Sequence, residues 1–196
     1  MNLSYISPFD IRQVMQQDDF EIFHRLDTAP GFITPHSHDF YEIYFPRTEG
    51  VSYIIEGCRY RLGPGMVVLI APGQTHYSDV VKRDLVVERF LLWLNPGYVE
   101  TLTDVLPRFR KLSAEDLRGQ NVIVPDVETY ELMLGLIFSL LREKQLNDTD
   151  SATLNRLVKA IVVHEKIDDD GERHITIEIH FNLQPMAEIQ PAKDIY

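Results

Sequence analysis

Cysteine is almost missing from this 196-residue chain. With Cys58 alone no disulfide can form within it, which excludes a small scaffold stapled by cross-links. No run of about 18 apolar residues occurs. The N-terminus, Met1-Asn2-Leu3-Ser4-Tyr5, has no basic stretch leading into an apolar core. From these two absences we expect a soluble, cytoplasmic protein without a membrane partner. Basic charge is short as well, with 19 Lys and Arg against 30 Asp and Glu and a formal net charge of −11. Phosphate recognition needs clustered cations, so direct nucleic-acid binding by this chain is not expected. Apolar residues are plentiful at 44%, enough for one core plus an appendage.

Residues 1–18 read as an arm with little periodic pattern. Short β-prone runs then follow, each closed by a Gly or Pro signal. They are Phe20 to Leu26, Tyr41 to Phe45, Val51 to Ile55, Cys58 to Leu62, Met66 to Ile70, His76 to Val81 and Leu85 to Leu94. No β-α-β alternation interrupts them. That spacing predicts a small antiparallel barrel of about eight strands over residues 19–95.

Inside this region Pro35-His36-Ser37-His38-Asp39-Phe40-Tyr41-Glu42 sets two histidines at i, i+2 and a glutamate at the same parity. If the strand is unbroken, His36, His38 and Glu42 project from one face. His76 comes from the separate run that ends in Ala71-Pro72-Gly73. Three imidazoles and a carboxylate facing one interior suit a divalent transition metal, with Zn, Ni, Fe and Mn as candidates. The bland alternative is a metal-free, hydrogen-bonded polar cluster. Phe40, Tyr44 and Tyr53 either line the interior for a small organic ligand or are ordinary barrel filling.

This constellation resembles the cupin signature, and most closely the sensor barrel of AraC-type transcription regulators. Cupin enzymes carry a glycine where Pro30 stands here, with Gly31 one place late. Gly50 also arrives one residue late, the second motif has one residue extra between Gly65 and Pro72, and Val80 replaces a frequent Asn. These departures suit the regulator branch. The resemblance implies a double-stranded β-helix (jelly-roll) barrel followed by C-terminal helices. It also implies binding of a small organic molecule, with sugars among the candidates, and a homodimer.

Beyond the barrel, Asn95-Pro96 offers a cap and a preset first turn. Val99, Leu102, Leu106 and Phe109 then share a helical face, up to the break expected at Pro107. Ser113 to Asp116 suggests a helical turn stopped by Gly119, and Val122 to Val124 one more strand. Pro125-Asp126 starts the clearest helix, Val127 to Gln145, with Tyr130, Leu134, Ile137 and Leu141 in one stripe. Leu132, Met133, Leu136, Phe138 and Leu140 widen its apolar arc beyond what barrel packing needs. Either both sides are buried in one subunit, or residues 96–146 form a dimerisation region.

Residues 147–196 read as an appended helix, Leu154 to Ala160, and a hairpin of Ile161 to Ile167 with Arg173 to Phe181. About residues 154–184 resemble the C-terminal segment of large serine recombinases. AraC-type regulators carry two helix-turn-helix units after the sensor, and we expect this chain to be truncated before them. From Arg142 onward acidic residues outnumber basic ones, so the tail is no substitute. His24, His164, His174 and His180 lack partners at ligand spacing and read as surface or edge-strand residues. Trp93 reads as core and Cys58 as a small strand residue. Two functions compete. One is a non-catalytic sensing and dimerisation domain, and the other a metal-dependent cupin enzyme of isomerase or dioxygenase type. No catalytic residue is nominated beyond the candidate ligands.

Overall fold

The protein is described by a computed structural model covering residues 6–7, 12–28, 34–80, 84–105, 111–145, 158–167 and 173–181. Seven strands come first, β1 (Phe20–Thr28), β2 (Tyr41–Pro46), β3 (Val51–Ile55), β4 (Cys58–Leu62), β5 (Val67–Ile70), β6 (His76–Val80) and β7 (Val86–Leu94). Helix α1 (Pro96–Val105), the short strand β8 (Val122–Ile123) and helix α2 (Val127–Gln145) follow, and β9 (Val158–Ile167) and β10 (Arg173–Phe181) pair as a hairpin.

The first eight strands form two antiparallel sheets, ordered β1-β7-β2-β5-β8 and β4-β3-β6. This is the small antiparallel barrel that the turn spacing predicts, and its two facing sheets agree with the jelly roll that the resemblance implies. Alternation along the strands builds two cores. One face of the larger sheet, with Phe20, Ile22, Phe45, Phe90 and Leu94, packs against Tyr98, Val99 and Leu102 of α1 and Tyr130, Leu134, Ile137 and Leu141 of α2. The other face contributes Phe23, Tyr44, Leu91 and Trp93, and meets Tyr53, Ile55 and Leu62 of the smaller sheet inside the barrel.

Local chemistry sets the boundaries. Glu56 and Gly57 both adopt positive φ, 49° and 82°, the two-residue turn whose twist matches a tight hairpin between β3 and β4. Asn95 caps α1 by accepting from Gly97 N at 2.8 Å through Oδ1. Asp126 caps α2, accepting from Thr129 N at 2.8 Å and from the Thr129 hydroxyl at 2.7 Å.

Two expectations are corrected. The histidine motif does not lie on an unbroken strand. His36 makes only an isolated bridge to His76, residues 39 and 40 bend, and β2 begins at Tyr41. The Gly73 N–H, freed by a left-handed turn at φ 83°, donates to the His38 carbonyl at 2.8 Å and holds the bend. Val158 to Ala160 is strand rather than helix, because Ala160 pairs with His180 and Val158 with Phe181, and ladder pairing outweighs a weak helical preference. Of the two places expected for His24, the surface or an edge strand, it takes the second, on β1, where it is buried with Nε2 sharing a 2.9 Å hydrogen bond with Glu88. Leu154 to Leu157, Leu106, Pro107 and Phe109 lie outside the described residues.

Candidate functional site

Glu42 opens the interior row of β2, His76 opens β6 on the opposite sheet, and His38 sits on the bend just before β2. Among the described residues, these three form a group whose ligand atoms all lie within 4.8 Å of one another. All are buried, His76 completely. The backbone brings the two motifs together, since His36 N donates to His76 O at 3.1 Å and His76 N returns a bond to His36 O at 2.9 Å.

The imidazoles are held in the tautomer that a metal requires. His38 Nδ1 is 2.9 Å from the Phe40 carbonyl and His76 Nδ1 is 2.9 Å from the Gln74 carbonyl. A carbonyl only accepts, so each Nδ1 carries the proton and each Nε2 presents a lone pair. Both Nε2 atoms are buried and have no hydrogen-bond partner. The 3.6 Å approach of His38 Nε2 to Glu42 Oε2 is electrostatic and too long for a hydrogen bond.

Glu42 is held from both sheets. Trp93 Nε1, directly across the β2–β7 register, donates to Oε2 at 2.9 Å, and the Tyr53 hydroxyl of β3 donates to Oε1 at 3.3 Å. Burial pushes the Glu42 carboxyl up, but His38, His76 and the Trp93 N–H pull it below the usual carboxylate value. Burial also lowers His76, against the attraction of Glu42. The site therefore favours an ionised carboxylate beside a neutral imidazole, the protonation states of metal ligands. Two unpartnered Nε2 atoms and a carboxylate fit a divalent transition metal.

His36 stands beside this group rather than in it. It is half-buried, its ring 4.4 Å from that of His76 and 6.4 Å from that of His38, with Nδ1 bonded to the Thr34 carbonyl at 3.0 Å. Phe40 stacks flat on His38 at 3.8 Å, and the Tyr44 and Tyr53 rings meet at 4.9 Å. All three are buried in the barrel interior, and burial raises both phenols above their ordinary value. Trp93 lies in the core, as the sequence suggests, and also donates to Glu42, a contact the sequence reading missed. Its signal was that a buried indole N–H needs an acceptor, which only the cross-strand register identifies.

A family model described as the AraC-like ligand-binding domain matches residues 19–154. No curated protein matches the chain. Among solved structures, apo ToxT of Vibrio cholerae, in a point variant, is 11% identical with TM-score 0.47, and the match covers 63% of this chain and 48% of that one. The DMSP lyase DddQ of Ruegeria pomeroyi is 26% identical with TM-score 0.36, over 41% of this chain and 40% of that one. A cupin 2 conserved barrel domain protein of Salinispora arenicola is 23% identical with TM-score 0.37, over 50% and 79%. The chain thus spans less than half the length of the lyase and of ToxT.

Proposed function

Because the chain belongs to the AraC-like ligand-binding domain family, we propose that it is the small-molecule-sensing and dimerisation part of an AraC-type transcription regulator. The observation that carries this reading is the polar group of His38, Glu42 and His76 enclosed between two sheets, one of which is backed by α1 and α2. His38, Glu42 and His76 hold one divalent transition metal, with His36 at the mouth beside them. Such an ion supplies a Lewis-acidic centre for an oxygen of the incoming molecule. Phe40, Tyr44 and Tyr53 form the wall around it. With a net charge of −11, direct DNA contact is not assigned to this chain. No helix among the described residues is long and apolar enough to cross a membrane.

The homodimer uses apolar positions of α2 that the barrel leaves at least partly open, among them Val127 at 81%, Leu132 at 42% and Phe138 at 38% exposed. Thermal-shift screening against sugars and small organic acids, with metal analysis of untagged protein, tests the sensor reading. Binding of one compound class and about one metal per chain support it, whereas no response to any small molecule removes it.

The same three residues favour a second reading, a metal-dependent cupin enzyme of isomerase or dioxygenase type. The hydroxyl that bonds Glu42 is that of Tyr53, whose phenol burial holds well above its ordinary value, so it is protonated at neutral pH and is no general base. Oxygen uptake or substrate isomerisation by metal-loaded protein would favour the enzyme over the sensor.

A further inference from the structure

A buried side-chain amide needs a reason, because it takes both donors and an acceptor out of water. Gln74 and Asn121 are each 1% exposed, and neither belongs to the group of His38, Glu42 and His76. Gln74 lies in the turn between β5 and β6, after Ala71-Pro72-Gly73. The backbone of that turn touches two members of the group. Gly73 N donates to the His38 carbonyl at 2.8 Å, and the Gln74 carbonyl accepts from His76 Nδ1 at 2.9 Å.

The Gln74 side chain is committed elsewhere. Its Oε1 accepts from Ala71 N at 2.9 Å, which closes the turn on itself, and from Asn121 Nδ2 at 2.9 Å. Its Nε2 reaches the Ala114 carbonyl at 3.5 Å. Asn121 also grips β5, where Nδ2 donates to the Leu69 carbonyl at 2.8 Å and its own carbonyl accepts from Leu69 N at 2.7 Å. A backbone N–H only donates and a carbonyl only accepts, so these partners fix which way round both amides stand. Asn121 ends the stretch 113–121, which lies between α1 and β8. That stretch is folded on itself, with Leu117 N bonded to Ser113 O at 3.2 Å, Gln120 N to Leu117 O at 2.9 Å, and Leu117 buried. The bond from Asn121 to Gln74 therefore joins the turn that holds two histidines to the connection between the helices. Apolar side chains would fill the same space with no polar group to desolvate. What the amides add is direction, since they set where the backbone of the turn sits.

We propose that Gln74 and Asn121 are positioning residues for the metal group, and that the bond between them couples its occupation to residues 113–121. This rests on the metal reading of His38, Glu42 and His76, and adds how that group is held and which segment responds to it. Fixing the turn fixes the His76 ring through the Gln74 carbonyl and the His38 backbone through Gly73 N. Such coupling is reciprocal. Loosening the clamp weakens metal binding, and metal binding tightens residues 113–121 by the same factor.

The test measures zinc affinity by competition with a chromogenic chelator, and amide hydrogen exchange with and without zinc. Gln74→Ala keeps the backbone carbonyl but loses the clamp, and is expected to bind zinc about 10-fold more weakly, as loss of an outer hydrogen bond does. Asn121→Ala removes nothing bonded to the three histidine and glutamate side chains, and is expected to lose about fivefold, a coupling of ordinary size. Asn95→Ala removes an asparagine hydrogen bond at the cap of α1 instead, and is expected to match wild type. In the wild type, zinc is expected to slow exchange in 113–121 more than in α1, and in Asn121→Ala that difference disappears. Wild-type affinity in both Gln74→Ala and Asn121→Ala, an equal loss in Asn95→Ala, or slowing no greater in 113–121 than in α1 overturns the proposal and leaves the metal group standing. No zinc binding by the wild type, or binding undiminished in His38→Ala, removes the metal group and this proposal with it.

Discussion

A buried carboxylate has to be held by donors, and Glu42 takes its two from opposite walls, Trp93 on the larger sheet and Tyr53 on the smaller. The indole N–H fixes Oε2, the oxygen that faces His38, so Trp93 would act through Glu42 on a metal held there. Trp93→Phe is expected to weaken zinc affinity about 10- to 100-fold, as loss of an outer hydrogen bond does. Competition titration against a chromogenic chelator checks this, and unchanged affinity would assign Trp93 to packing alone. Spacing in the sequence selected His38 and Glu42, although for a reason that does not hold. Parity groups them only along an unbroken strand, whereas a bend at residues 39 and 40 delivers them to the same place. Trp93 was invisible for a different cause, because a cross-strand partner is a property of register. Glu21 shows a second device at this scale. Burial raises its carboxyl, but Arg12 and the Gln16 and Gln17 N–H groups bring it below the ordinary value near 4.5. A folded value below the unfolded one stabilises the fold above the unfolded value, and that stability is lost as pH falls through the folded value. The melting temperature of Glu21→Gln should therefore lie below wild type at neutral pH and converge on it in acid.

At the scale of elements, turn chemistry was the most legible signal. The β3 and β4 boundaries were given by Glu56-Gly57, and both helix starts by Asn95-Pro96 and Pro125-Asp126, because these residues act on their immediate neighbours. Helix α2 separates two kinds of apolar residue that periodicity alone merges. Leu134 is 5% exposed and sits in the core with Phe20 and Ile22, while Leu132 is 42% exposed. Leu134→Ala should cost about 2–5 kcal/mol of stability by denaturant unfolding. Leu132→Asp should leave stability nearly unchanged and convert a dimer to a monomer in light scattering. A wild type already monomeric would remove the interface. The residues Val158 to Ala160 defeated the reading because their strand depends on a partner some 20 residues away, which local propensity does not register.

At the scale of the whole molecule, the candidate metal group is a joint between two sheets. Glu42 belongs to the five-stranded sheet and His76 to the three-stranded one, and they meet only because both sheets close around one interior. Closure was legible as a rhythm of short strands and turns. Which faces meet was not, since that follows from packing over the entire barrel. An ion bound by side chains of both sheets exists in the folded state alone, so its binding free energy adds to stability. At a free metal concentration about 100 times the dissociation constant the gain is about 2.7 kcal/mol. Zinc, nickel or manganese added to apo protein should therefore raise the melting temperature, and a chelator should return it. His38→Ala should abolish that rise while its own metal-free melting temperature stays measurable. His36→Ala should keep most of it, since His36 stands outside the three-residue group. A metal-dependent rise that survives His38→Ala would place the ion elsewhere and detach metal binding from the joint between the sheets.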